Sequence, residues 1–243
     1  MKVIVCGANG RMGKELVKAV TADVAFKLVG GVVKEGDSDG TDLGDLASIS
    51  KTGVYANSDL EKIINQCDMI IDFSLPESSL SFASIAAKYG KQYVSGVTGY
   101  DHKQMDLIKD LGAKIPIFHS GNMSLGINVL IKLAKLAAKL MTGYDIDLLD
   151  VHHSKKIDSP SGTAKMIIGA VEENSSGNKV IVTSIRAGDF FGEHQLRFSG
   201  GFESLSINHS AQSREIFALG ALKVCKWLAN QKPGFYTMDD MLV

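Results

Sequence analysis

The sequence predicts an α/β fold in two parts: a Rossmann-like, mostly parallel sheet first, then an α+β domain with a mixed sheet of about four strands. Three observations carry this. From residue 2 to about 118, short apolar runs alternate with amphipathic helical stretches, the pattern of parallel strands covered by their crossover helices. The first run ends in a glycine turn that opens a helix. Beyond residue 122 the alternation stops, and one long helical stretch gives way to strand candidates separated by glycines. The expected divisions are 1–121, 122–210, and a closing segment 211–243 whose helix returns to the first domain.

Bulk properties narrow the class. In 243 residues, 45% apolar, there is enough material for a sizeable core or two modest ones. Lys plus Arg number 26 against 27 Asp plus Glu, so the basic surplus typical of a nucleic-acid binder is missing. Cys6, Cys67 and Cys225 are far apart, with neither zinc spacing nor a disulfide framework. No stretch has the length of a membrane span, and the N-terminus lacks a signal-peptide pattern. The expectation is a soluble cytoplasmic protein that engages neither nucleic acid nor membrane.

Lys2–Cys6 reads as a strand, followed by Gly7-Ala8-Asn9-Gly10-Arg11-Met12-Gly13 and a helix with Leu16, Val17 and Val20 on one side. Small residues let a backbone approach a pyrophosphate, and a helix N-terminus favours its charge. The spacing is GxxGxxG, with Asn9 in the middle position; dinucleotide binding is the favoured reading, and an ordinary tight turn packed on its sheet is the alternative. Lys27–Val33 is a second strand. A carboxylate at its end would bind a ribose hydroxyl, but Val33 cannot, whereas Lys34 can pair with a 2′-phosphate and Glu35 can still reach a hydroxyl. Residues 36–53 read as a loop. Helices are expected from Asp59, from Pro76 and from Asp101, strands over 69–73, 93–94 and 115–118. Loops 74–77, 96–99 and 119–124 then lie at strand C-termini, where Gly96 and Gly99 permit close approach and Thr98 adds a hydroxyl.

In the second half, Leu125, Val129, Leu133, Leu136 and Leu140 mark a helix at near-helical spacing, and residues 172–178 a polar loop. Strands follow over 180–186, 194–198 and 204–210, then a helix over 214–228 and a loop through 232–238. The segment Asp147–Ala164, DLLDVHHSKKIDSPSGTA, carries the chemistry. A strand over 144–151 delivers His152 and His153, which point to opposite faces if the strand continues. Histidine gives or takes a proton near neutrality. Lys156 can bind a substrate carboxylate or steady developing negative charge. Ser161, Gly162 and Thr163 open a helix and offer amides and hydroxyls to a second carboxylate. A metal would need Asp150 or Asp158 beside the histidines, and the spacing matches no familiar zinc pattern, so no metal is expected.

Taken together, GANGRMG at 7–13, DFSLPE at 72–77, GVTGY at 96–100, GNMSLGIN at 121–128, VHHSKKIDSPSGTA at 151–164, IRAGDFFGEH at 185–194 and SREIFALGAL at 213–222 resemble the 4-hydroxy-tetrahydrodipicolinate reductases, also called dihydrodipicolinate reductases. The resemblance covers nearly the whole chain. It implies a dinucleotide-binding N-terminal domain, a C-terminal substrate-binding and oligomerisation domain, and a homotetramer. It also implies reduction of a cyclic dicarboxylate with NADPH or NADH in lysine and diaminopimelate biosynthesis. By motif, His152 is the general acid, Lys156 its catalytic partner, and His153 with Ser161, Gly162 and Thr163 the substrate-binding set. Gly7, Asn9, Gly10, Arg11, Met12, Gly13 and Lys34 would hold the dinucleotide. Phe73, Gly96, Thr98, Gly121, Asn122 and Met123 would frame its nicotinamide side. Val33 departs from an acid found in many members, and the 36–53 segment is compact. The competing readings are another NAD(P)-dependent oxidoreductase, which leaves HHSKKIDSPSGT unexplained, and a non-catalytic dinucleotide sensor, which has no need of His152 or Lys156.

Overall fold

A computed structural model of the chain describes residues 1–175 and 177–243. Of the polar loop expected over 172–178, Ser176 lies outside them. The chain divides into two compact units, Met1–Met123 with Phe217–Val243, and Ser124–Ile216.

The first unit contains a seven-stranded sheet. In chain order its elements are β1 (Lys2–Cys6), α1 (Arg11–Ala22), β2 (Lys27–Val32), α2 (Leu43–Ala47), β3 (Ala56–Asn57), α3 (Leu60–Ile63), β4 (Met69–Asp72), α4 (Pro76–Lys88), β5 (Gln92–Ser95), α5 (His102–Leu111) and β6 (Pro116–His119). The strand order is β11-β6-β5-β4-β1-β2-β3, and every pairing is parallel. Here β11 is Gly234–Tyr236 from the far end of the chain, preceded by α8 (Glu215–Leu228) and followed by α9 (Met238–Met241). Both faces are buried. Along β1, Val3 and Val5 enter one core, Ile4 and Cys6 the other, as the period of two requires. Leu16, Val17 and Val20 of α1 and Ala221, Leu222 and Val224 of α8 share the first core, each large side chain stabilising the fold by about 1.5–3 kcal/mol.

Local signals explain the helix starts. Asp59 and Asp101 accept from the N–H groups of Glu61 and Gln104, and Pro76 occupies the first turn of α4. Two small elements, α2 and β11, depart from the expectation of loops, and a third, β3, was not anticipated. Asp42, 5% exposed, organises 42–53 by accepting from the N–H groups of Gly44, Thr52 and Gly53, so α2 is held by one side chain rather than by periodicity. Strand β3 has two residues. Strand β11 falls in the expected 232–238 loop and pairs with β6 at Phe235↔Ile117.

The second unit begins with α6 (Leu125–Leu140), capped by Ser124, which accepts from Ile127 N–H. It continues through β7 (Asp145–His152), α7 (Gly162–Glu172), β8 (Val180–Arg186), β9 (Glu193–Ser199) and β10 (Ser204–Ser210). The four strands run β10-β9-β7-β8, with β7–β8 parallel and the other pairs antiparallel. Ile146, Leu148, Leu196 and Phe198 on one face meet α6 and α7. The helix expected from apolar spacing forms, but the residues that marked it are not its buried face. Val129, Leu133, Leu136 and Leu140 are 41–74% exposed, while Ile127, Leu130, Ile131 and Ala134 are buried. The helix is apolar on more than one side, so spacing alone could not choose its inner face. Among the described residues, no helix is long and apolar enough to cross a membrane.

Candidate active site

In the first unit the strand order reverses direction between β1 and β4, a topological switch point at which ligands bind beyond the strand C-termini. The glycine turn lies there. Gly7 has φ +75°, and a Cβ on it would lie 3.0 Å from the Phe73 carbonyl oxygen. A Cβ on Gly13 would lie 2.0 Å from the Gly7 carbonyl oxygen, so helix and turn touch backbone to backbone. Gly10, the N-cap of α1, offers no side-chain cap, and the first turn carries no acid. Its amides are therefore left to an anion. Arg11 is exposed, Met12 is half-buried against the core, and the Asn9 amide donates to Asp37 at 2.7 Å. Lys34 is exposed beyond β2, whereas Val33 is 4% exposed and belongs to the core.

The other expected cofactor residues gather at the neighbouring strand ends. A Cβ on Gly96 would fall 2.2 Å from the Phe73 ring, and one on Gly121 would stand 3.7 Å from the Thr98 methyl. Asn122 is 7% exposed, and its loop is tied by Ser120, which donates to the Asn122 carbonyl at 2.7 Å. The Met123 side chain is buried in the core, and its carbonyl packs against α8, where a Cβ on Gly220 would lie 1.8 Å from the oxygen. A network absent from the sequence reading joins these loops. The Asp72 carboxylate accepts from Tyr93 Oη–H and, at 2.8 Å, from Ser74 N–H. Ser79 contacts both Tyr93 and Tyr100, and Ser95 lies 2.9 Å from the Tyr100 hydroxyl. Burial raises the Asp72 carboxyl, against the opposing hydrogen bonds, and with Asp72 it raises the Tyr93 phenol well above its usual range.

In the second unit, His152 is the last residue of β7 and 7% exposed. Parallel and antiparallel pairing set Arg186 beside His152 and His194 beside Asp150. Asp150 and His152, two apart on one strand, share the inward face. Asp150 is completely buried. Its Oδ2 accepts from Arg186 Nη2 at 2.8 Å, Ser161 N–H at 2.9 Å and Ser184 Oγ at 3.2 Å. Its Oδ1 lies 3.1 Å from His152 Nδ1 and 3.3 Å from His194 Nε2. Oδ1 and His152 Nδ1 are close enough to pair yet not aligned as a hydrogen bond, and neither has a hydrogen bond elsewhere among the described residues. Burial alone would raise the Asp150 carboxyl. The contacts to His152, His194, Arg186 and Ser161 outweigh it and hold the group well below the usual carboxylate range.

Ser161 caps α7 by accepting from Ala164 N–H at 3.0 Å, and its Oγ lies 3.3 Å from His194 Nε2. Gly162 opens the helix in free space, with Thr163 beside it. His153 lies just past the strand, its N–H donating to the Phe190 carbonyl at 2.8 Å. Lys156 pairs with Asp158 at 2.7 Å, while Lys155 is exposed. Asp150, His152 and His194 offer three ligand atoms within 4.8 Å of one another. Arg186 already supplies a cation to that carboxylate, so the cluster suits proton handling better than a divalent ion. Sequence reasoning did not assign Asp150, Ser184, Arg186 or His194 to proton chemistry. Only the two-residue spacing of Asp150 and His152 was a readable signal.

Comparison with known proteins covers the whole chain. Residues 1–123 match the family model for the N-terminus of dihydrodipicolinate reductase, and residues 126–242 the model for its C-terminus. The 4-hydroxy-tetrahydrodipicolinate reductase of Caldanaerobacter subterraneus subsp. tengcongensis is 39% identical, over 100% of this chain and 98% of that protein. Among solved structures, a dipicolinate-bound dihydrodipicolinate reductase from Paenisporosarcina sp. TG-14 superposes with TM-score 0.84 at 20% identity, over 98% and 97% of the two chains. An amine dehydrogenase from Mycobacterium smegmatis gives 0.71 at 10% identity, over 97% and 94%, which speaks to the fold alone.

Proposed function

The chain belongs to the dihydrodipicolinate reductase family, and on that premise we propose that it reduces 4-hydroxy-tetrahydrodipicolinate to tetrahydrodipicolinate with NADPH or NADH, in lysine and diaminopimelate biosynthesis in the cytoplasm. The observation that carries the reading is a buried histidine at a strand end, 3.1 Å from a buried carboxylate and beside the serine-capped start of a helix.

The residues fit the dinucleotide. Backbone contacts at Gly7 and Gly13 leave no room for side chains, and the N-terminus of α1 carries no competing cap or acid. Gly7, Asn9, Gly10, Arg11, Met12, Gly13 and Lys34 would hold the adenosine and phosphate portion. Phe73, Gly96, Thr98, Gly121, Asn122 and Met123 would line the nicotinamide side. When bound, the reduced coenzyme supplies the hydride. Net, the ring hydroxyl leaves as water, a hydrogen takes its place and one proton balances the charge. His152 delivers that proton as general acid. Lys156, released from Asp158, meets the developing negative charge. The dianionic substrate is held by His153 and by the Ser161, Gly162 and Thr163 turn, whose amides and hydroxyls suit a carboxylate.

A homotetramer is part of the same reading. Assembly would cover apolar surface that the second unit leaves exposed, along Val129, Leu133, Leu136 and Leu140 of α6 and at Ile181 and Ile185 on the other face of the sheet. Light scattering is expected to give four times the 26.0 kDa chain mass, and the mass of a single chain would refute assembly. The activity itself is tested by nicotinamide absorbance, with the substrate generated in situ by its synthase and both coenzymes compared. Oxidation that requires the synthase product is expected. A preparation that binds a coenzyme yet oxidises neither would overturn the assignment.

A further inference from the structure

We infer that Asp150 is a positioning residue, which keeps a hydrogen on Nδ1 of His152 so that Nε2 carries the working proton in the imidazolium, and which, through Ser161, ties that ring to the turn expected to bind the substrate carboxylate. The inference rests on the reading of His152 as proton donor. A carboxylate in this place is costly to bury, yet Asp150 is completely buried with all its partners drawn from inside the second unit. Its two oxygens divide the work. Oδ2 takes Arg186, Ser184 and the Ser161 N–H, so the start of α7 is pinned to the sheet by the charge that also faces the histidine. Oδ1 is left to the imidazoles, with His152 Nδ1 at 3.1 Å and His194 Nε2 at 3.3 Å.

A carboxylate accepts and cannot donate, so it selects the imidazole that carries hydrogen on Nδ1. Nε2 of His152 then becomes the nitrogen that gives and retakes the working proton, as in other acid–histidine pairs. The surroundings of Nε2 agree. A Cβ on Gly192 would stand 3.0 Å from it, and the glycine at that position keeps the nitrogen clear. His194 adds a second tie. Its Nε2 lies 3.3 Å from Oδ1 and 3.3 Å from Ser161 Oγ, bridging the same carboxylate to the same cap. Arg186 balances the charge of Asp150, so protonation of His152 adds a net positive charge where an anionic substrate is reduced.

The test reads the tautomer directly. Long-range 1H–15N spectra of histidine-labelled protein are recorded where the ring is neutral, with the His152 signals identified by their loss in His152→Gln. Wild-type His152 is expected to carry its hydrogen on Nδ1. Asp150→Asn is expected to move that hydrogen to Nε2 and to lower kcat about 10²- to 10⁴-fold, leaving the KM for the coenzyme within about threefold. Asp150→Glu keeps the charge and should retain the wild-type tautomer and turnover within about tenfold. A wild-type His152 protonated on Nε2 would overturn the inference, as would Asp150→Asn with an unchanged tautomer and kcat within about threefold. If Asp150→Asn does not fold, the wild-type spectrum decides alone. An Nδ1–H signal in a protein that does not reduce the dicarboxylate would leave the tautomer assignment standing and remove the proposed function.

Discussion

Alanine at Gly13 tests how closely α1 must approach the turn that precedes it. The new Cβ would lie 2.0 Å from the Gly7 carbonyl oxygen and 2.7 Å from Ala8 Cα, against an ordinary separation of about 3.5 Å. Both neighbours are backbone, so no side chain can swing aside, and helix and turn must part by roughly 1.5 Å. Overpacking of this kind costs about 1–3 kcal/mol. The Gly10 N–H to Gly7 carbonyl bond, 2.9 Å long, is lost with it, at about 1 kcal/mol. The gain in helix propensity returns about 1 kcal/mol, so a net loss of about 1–3 kcal/mol is expected. At roughly 2–4 °C per kcal/mol for a chain of this size, thermal melting of the ligand-free protein should fall by about 2–12 °C. Titration with NADPH or NADH should show affinity weakened about tenfold or more, because the displaced amides are those proposed to hold the pyrophosphate. Gly169→Ala is the control. It lies within α7 with nothing within 4 Å of its Cβ position, and the same substitution should there stabilise by about 0.5–1 kcal/mol. A Gly13→Ala protein that melts within about 1 °C of wild type and binds coenzyme within a factor of about two would refute the argument.

Other outcomes follow from single groups. His152→Ala and Lys156→Ala should each lower kcat by about 10²- to 10³-fold with little change in circular dichroism, and turnover within about threefold in both would sink the proton-donor assignment. Lys34→Ala should reduce the efficiency with NADPH several-fold, on the order of a single ion pair, and spare NADH; equal losses with both would place Lys34 away from the 2′-phosphate. Burial pushes the His119 imidazole down to about 4, below its ordinary 6.5, so the unfolded chain binds the proton first. Stability is therefore fully present above pH 6.5 and drains away as pH falls through 4, by at most about 3 kcal/mol. His119→Phe should flatten that stretch of the urea-midpoint curve, and an unchanged slope would show that other groups control it.

Much of the fold was legible because its signals are local. The alternation of strands and helices, the caps at Asp59, Asp101 and Ser161, and Pro76 at the start of α4 all act within a few residues, and the structure shows each of them. The same holds for the mixed four-stranded sheet, whose strands are separated by glycines. Elements of two or three residues were not legible, because β3 and β11 have too little length to carry a period and exist through their partners. The inner face of α6 was not legible either, since two of its sides are apolar. Likewise α2 depends on Asp42 reaching forward to Thr52 and Gly53.

The chemical inventory is written along the chain: a glycine turn opening a helix, adjacent histidines, a lysine, and a serine-capped helix start. Which of these groups meet depends on strand pairing. Asp150, Arg186 and His194 are separated by up to 44 residues in sequence, and they converge through the registers His152↔Arg186 and Asp150↔His194. Register is set by long-range pairing, and a slip of one residue would turn every one of these side chains to the opposite face. That is why a reading built on local spacing found His152, with Asp150 two residues before it, and not the Arg186 and His194 that meet them.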